Sequence, residues 1–209
     1  MAIRNTDALR ARRREAILAK LLAAVEQLCG PSRETYAELS VERLISTAGV
    51  NRSTFYAYFD DKTALLHELA EQVLDQLLEV ASHWYQLPAH ATKDDLHQAL
   101  GRVIEAYLSH QVVMAAIADA AARSAAVSKP FETLMDRSTA ALAAYIRRGQ
   151  REHFVDRALD PEPTAAWLMW MSEGALAQLI GPASPAERTR LHAGLTDIFW
   201  HGLRMGAAR

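Results

Sequence analysis

Arg52, Ser53 and Thr54 stand side by side, Tyr56 and Tyr58 follow, and Lys62 closes the group. One short stretch thus sets out two cations, two short hydroxyls and two phenols. Such donors suit a nucleic acid. An arginine can bond guanine through two hydrogen bonds at once, and a threonine methyl can touch the methyl of thymine. A tyrosine hydroxyl can donate to a phosphate oxygen while its ring covers apolar surface. Lys62 is expected to open a helix, where free backbone N–H groups already favour an anion, so its ammonium is placed to clamp a phosphate. Taken singly, Arg52 and Lys62 are ordinary surface charges; the frame around them gives them a role.

That frame is LSVERLISTAGVNRSTFYAYFDDKTALLHEL. Ser40 is a helix N-cap, with Glu42 favourably placed in the first turn. Val41, Leu44, Ile45 and Ala48 then share one face of a two-turn helix. Gly49 can take a positive φ without strain and supplies a tight turn. Val50 pins that turn to a core, and Asn51 is the next N-cap candidate. Arg52 to Phe59 form a second short helix, and Asp61 caps a third that begins at Lys62. Helix, glycine turn, helix is the pattern of a DNA-binding helix-turn-helix, whose second helix reaches base edges with its N-terminal residues. Phe55 and Phe59 are four apart and pack inward, whereas Tyr56 and Tyr58 lie off that face and flank DNA. Upstream, Arg4, Arg10, Arg12, Arg13 and Arg14 form a basic arm that either holds phosphates or simply starts a solvated helix. Residues 1–62 hold ten Lys/Arg against eight Asp/Glu, while the chain as a whole carries a net −2.

Catalytic and metal-binding patterns are missing from the sequence. There is no GxSxG, no glycine-rich phosphate loop and no CxxC. His83, His90 and His97 recur every seven residues, but Pro88 interrupts any helix joining them and no cysteine lies near. His192 and His201 are nine apart and point to different faces of one helix. No enzyme activity, metal or cofactor is expected. The 209 residues are half apolar, ample for one large domain or two small ones. A single cysteine, Cys29, excludes an internal disulfide and fits a reducing compartment. No apolar run approaches the roughly 20 residues that span a bilayer, and the basic N-terminus lacks the apolar segment of a secretory signal. A soluble, cytoplasmic protein with no membrane contact is expected.

Alanine, leucine, glutamate, glutamine and arginine dominate, and no segment alternates as a strand would, so the fold class is all-α. A first helix runs from about residue 8 to Cys29, closed by Gly30-Pro31. Pro31 to Glu38 is a loop or a last turn of that helix. Six further helices are placed near 62–86, 93–109, 111–125, 131–153, 162–180 and 186–205, divided by prolines that include Pro130.

The run AGVNRSTFYAYFDDKTALL resembles the signature of TetR-type transcriptional regulators over roughly residues 10–75. The resemblance implies a homodimer, a three-helix DNA-binding domain over 1–62, and a helical domain over 63–209 that binds a small ligand. It also implies that Ser40, Arg52, Ser53, Thr54, Tyr56, Tyr58 and Lys62 face DNA. Position 58, often histidine in the family, is tyrosine here. The segments AYLSHQVVMAAIADAAARSAAV, WLMWMSEGAL and DIFWHGL are similar to the EthR-like branch, whose bundle holds a long apolar ligand tunnel. Met169 and Ser172 fall where that branch uses two polar side chains to orient ligands.

Read from the residues themselves, the alanine-rich third helix of the bundle leaves room either for close helix approach or for a cavity. Leu96, Val103, Tyr107, Met114, Ile117, Met135, Leu142, Tyr145, Trp167, Trp170 and Phe199 would line such an apolar pocket or form a plain core. Glu173 is either a buried polar anchor or a surface residue. The last two helices are apolar on more than one side, which a homodimeric four-helix interface would satisfy. Such a dimer sets two recognition helices about one DNA turn apart, ~34 Å, on a palindromic operator. The expected function is a ligand-responsive regulator of transcription, a repressor released from operator DNA by a small apolar ligand. The alternative is a DNA-binding activator or architectural protein that senses no ligand.

Overall fold

The structure is a computed structural model that describes residues 2–29, 35–121 and 124–204. Among the described residues every regular element is helical. In chain order these are α1 (Ala2–Cys29), α2 (Val41–Ala48), α3 (Arg52–Tyr56), α4 (Lys62–Ser82), α5 (Lys93–Ser109), α6 (Gln111–Ala121), α7 (Ala125–Arg151), α8 (Pro161–Gly174) and α9 (Pro185–Leu203). A 3-10 turn, Trp84–Gln86, follows α4, and α8 runs into a π-helical turn, Ala175–Ile180. The all-α fold expected from composition is the fold observed.

The chain forms two compact units. One holds residues 1–73 together with 112–130, the other 74–111 together with 131–209. In the first, α1 lies against α2, and α2 against α3. Ile17, Leu21 and Val25 of α1, Leu44 and Ile45 of α2, Phe55 and Phe59, and Leu65 and Leu69 of α4 are all buried. Burying such side chains contributes ~1.5–3 kcal/mol each before chain entropy opposes it. The Arg14 guanidinium pairs with the Glu68 carboxylate on α4, while Arg12 and Arg13 are exposed. The side chains of Arg4 and Arg10, and the stretch Pro31 to Glu34, lie outside the described residues.

In the second unit α5 and α9 pack together most extensively. The Trp84 ring meets Phe199 edge-on at 5.2 Å and Tyr145 at 5.7 Å, and Leu142, Ile146 and Ala165 complete the centre. Helix starts here are strongly specified. Thr92 caps α5 in a reciprocal box with Asp95, and Ser184 caps α9 ahead of Pro185. At the end of α7 the chain reverses tightly: the Phe154 and Val155 N–H groups both donate to the Gly149 carbonyl, and His153 takes a positive φ of 65°.

Several expected helix boundaries are corrected: among them, α4 ends at Ser82 and α6 at Ala121. α1 begins at Ala2 rather than near residue 8, since nothing in its first turns breaks a helix. Pro130 does not end a helix but lies inside α7, in its second turn, where its missing N–H forgoes one backbone bond. The helix placed at 162–180 changes winding after Gly174, where the π-helical turn begins.

Candidate DNA-contacting face and ligand interior

Ser40 caps α2: its Oγ accepts from the Arg43 N–H at 3.2 Å, with extended backbone at φ −85° and ψ 153°. α2 ends at Gly49, which is left-handed at φ 61° and ψ 37°, while the Val50 N–H returns to the Ile45 carbonyl at 2.9 Å. A Cβ at Gly49 would meet nothing within 4 Å, so φ alone calls for glycine there. α3 then starts at Arg52 behind Asn51, whose side chain makes no capping bond. It is shorter than the expected Arg52 to Phe59, although the Ala57 and Phe59 N–H groups still bond the Ser53 and Phe55 carbonyls at 3.1 and 2.9 Å.

The aromatic residues divide as the spacing requires. Phe55 and Phe59 are wholly buried, Tyr56 is 44% exposed and Tyr58 is half-buried. Asn51, Arg52 and Ser53 are exposed and Thr54 is half-buried. Arg52 Nη1 donates to Glu42 Oε1 at 2.9 Å, and its guanidinium carbon lies 5.5 Å from the Tyr56 ring centre. Glu42 was legible only as a first-turn acid of α2; its pairing with Arg52 depends on the turn angle at Gly49.

Lys62 is placed differently from the other candidates. Its Nζ donates to the carbonyls of Tyr36, Ala37 and Leu39 at 3.1, 2.8 and 2.6 Å, and it lies over the Tyr36 ring at 5.5 Å. An ammonium has three donors, so all three are engaged inside the first unit. Burial lowers the Lys62 pKa, with Cys29 opposing that shift. Tyr36, which sequence reasoning passed over, returns the bond through its hydroxyl to the Lys62 carbonyl at 2.8 Å, and burial pushes its phenol pKa well up. A groove of about 350 Å³ opens beside this clasp, bordered by Thr63, Leu66, Asp119 and Ser124.

The residues proposed to line a pocket separate into three groups. Leu96, Leu142, Tyr145 and Phe199 lie in the core of the second unit, with Val103 and Met169 packed against it and Met135 also buried. Tyr107 is buried, its pKa raised by that burial and then by the Glu173 charge; half-buried Glu173 is itself raised by desolvation. Ser172 Oγ donates to the Leu168 carbonyl at 2.7 Å, and Met169 Sδ accepts from the Tyr85 hydroxyl at 3.6 Å. Met114 and Ile117 are buried in α6 and belong to the first unit. Trp167 and Trp170 point outward, 78% and 56% exposed. The second unit has a cavity of about 10 Å³ against Trp84, Leu96, Tyr145, Phe199, Trp200 and Arg204, room for about one water.

The family model for bacterial regulatory proteins of the tetR family matches residues 32–69, the helix-turn-helix just described. The transcriptional regulator EthR of Mycobacterium tuberculosis is 30% identical over 186 residues, covering 86% of this chain and 85% of that protein. The chain belongs to the TetR family of transcriptional regulators. EthR of Mycolicibacterium smegmatis is 27% identical over 190 residues, with 88% and 85% coverage. Among solved structures, a TetR-family regulator from Mesorhizobium loti superposes with a TM-score of 0.71 at 20% identity, covering 93% of this chain and 98% of that one. This TetR-family protein is therefore a DNA-binding regulator and not an enzyme. Among the described residues, no helix is long and apolar enough to cross a membrane.

Proposed function

We propose that the chain is a cytoplasmic, ligand-responsive repressor that binds a palindromic operator as a homodimer and is released by a small apolar ligand. Residues 1–62 bind DNA, and residues 63–209 bind ligand and dimerise. The observation that carries the DNA reading is the division of α3 and the turn after it: Phe55 and Phe59 are buried, while Arg52, Ser53 and Tyr56 stay exposed. Ser40, Asn51, Thr54 and Tyr58 extend that face, and Lys62 joins it by exchanging one of its carbonyl bonds for a phosphate.

Trp167, Trp170, Met171 and Leu179 on α8 and its π-turn, with Ile198 on α9, are large apolar side chains left exposed. Single chains rarely expose so many together, and an isologous interface through α8 and α9 would cover them. For the ligand, Tyr107 and Glu173 are polar handles in an apolar setting. The second unit closes to about 10 Å³ at Tyr145 and Phe199, so a ligand there must open the core. A ligand that binds an opened state better shifts the population toward it, which is how binding would reach the DNA-contacting helices. The small cavity at Tyr145 and Phe199 fits the second reading equally, a DNA-binding activator or architectural protein without ligand.

The test is selection of duplexes from random DNA by the full chain. Recovery of a two-fold symmetric site whose binding is weakened by apolar compounds fits the repressor. A symmetric site that no compound affects selects the second reading, and no enriched site rejects both.

A further inference from the structure

The Arg52–Glu42 pair joins the first residue of α3 to the first turn of α2 across the Gly49 turn, and both side chains are largely exposed. An exposed ion pair adds little to fold stability. A carboxylate on a face presented to phosphates also opposes DNA approach. The pairing with Arg52 therefore adds little to the stability that Glu42 already gives as a first-turn acid of α2, and the charge of Glu42 works against non-specific binding. Its geometry supplies another role. Glu42 takes hydrogen from Nη1 alone, which leaves the Nε–H and Nη2–H edge of the guanidinium as a planar fork. That fork matches the O6 and N7 acceptors of guanine. The Tyr56 ring beneath the guanidinium restricts it from a second side.

We propose that Glu42 is a positioning residue for base recognition: it fixes Arg52 in advance so that the Nε/Nη2 edge meets guanine, and its negative charge suppresses binding to other sequences. The proposal rests on Arg52 facing DNA. Arginine left untied would give up rotamer freedom on reaching a base; tied to Glu42, it has already done so. Glu42 thus raises the preference for the correct sequence more than the affinity for DNA as such.

The experiment uses the full-length wild type with Glu42→Ala, Glu42→Gln and Arg52→Ala. Each is titrated by fluorescence anisotropy against the duplex that the wild type selects from random DNA, and against a scrambled duplex, over a salt series. Glu42→Ala is expected to bind the scrambled duplex more tightly and to lose about tenfold in the selected-to-scrambled ratio, within the range one bidentate base contact provides. Glu42→Gln, which keeps an acceptor, is expected to lose less. The salt slope on the selected duplex stays unchanged, because no phosphate contact is removed; a misfolded head would change it. A wild-type ratio in Glu42→Ala, with the ratio lost in Arg52→Ala, overturns the positioning role and leaves the recognition helix standing. A wild-type ratio in Arg52→Ala overturns both.

Discussion

The Tyr36 hydroxyl donates to the Lys62 carbonyl at 2.8 Å while the Lys62 ammonium donates back to the Tyr36 carbonyl at 3.1 Å. This reciprocal clasp fastens the turn after α1 to the first residue of α4. Lys62→Met removes the donor from three carbonyls at once. A lost hydrogen bond to a charged group costs ~1.5–3 kcal/mol, so a clear fall in urea midpoint is expected, with Tyr36→Phe giving a smaller one. If Lys62 acts chiefly as the clasp, the salt slope of DNA binding is unchanged in Lys62→Met; a slope reduced by about one would assign it a phosphate contact as well.

Gly149 and Gly49 resist substitution for different reasons. A Cβ at Gly149 would lie 2.3 Å from Val155 Cγ2 and 2.9 Å from Phe154 Cε2. Gly149→Ala is expected to lose ~1–3 kcal/mol through overpacking. At Gly49 the surrounding space is open and only the left-handed φ resists, so Gly49→Ala is expected to cost ~1–2 kcal/mol. Thermal unfolding of both variants measures this, and an unchanged midpoint in Gly149→Ala would refute the close approach.

Acid should weaken the contact between α5 and α9. The His97 and His192 rings stack at 3.7 Å and 11°. Thr196 Oγ1 gives its proton to the His192 carbonyl, so it accepts from His97 Nδ1–H; His192 Nε2–H donates to the His97 carbonyl, each at 2.9 Å. Burial holds the His192 pKa below 6.5, against the opposing pull of that carbonyl bond and of Glu105, while the charge of His97 lowers it further. The Lys93–Asp197 pair spans the same two helices. A base with a lowered folded pKa stabilises fully above its unfolded value and loses that contribution as pH falls below it. The urea midpoint is expected to drop as pH falls below 6.5, and His192→Gln to flatten the drop. Parallel curves for the two proteins would contradict this.

The helix-turn-helix was readable because its constraints are local: a capping serine, a glycine at the left-handed turn, and two phenylalanines four apart. Other features depend on what lies across space. Trp167 and Trp170 form an apolar stripe that reads the same whether a core or a second copy covers it, and the structure turns both outward. The π-helical turn at Ala175–Ile180 buries Ile180, and no residue in that run breaks an α-helix by itself. Lys62 looks like a free cation in sequence, since backbone carbonyls 23 to 26 residues away leave no mark on the pattern.

The proposed dimer through α8 and α9 predicts that Trp167→Glu gives a monomer at concentrations where the wild type is a dimer. A buried interface tryptophan contributes about 2 kcal/mol or more, roughly thirtyfold in dissociation constant. Sedimentation velocity reads the outcome directly, and an unaltered dimer would place the interface elsewhere.

In the proposed complex α3 presents Arg52 and Tyr56 to DNA. The measurement that tests it most directly is the affinity of Arg52→Ala and Tyr56→Phe for the selected duplex at one fixed salt concentration, with oligomeric state followed in parallel. Both variants are expected to assemble as the wild type does. Arg52→Ala is expected to lose on the order of tenfold or more in affinity and Tyr56→Phe a smaller factor. Wild-type affinity in both would contradict this assignment.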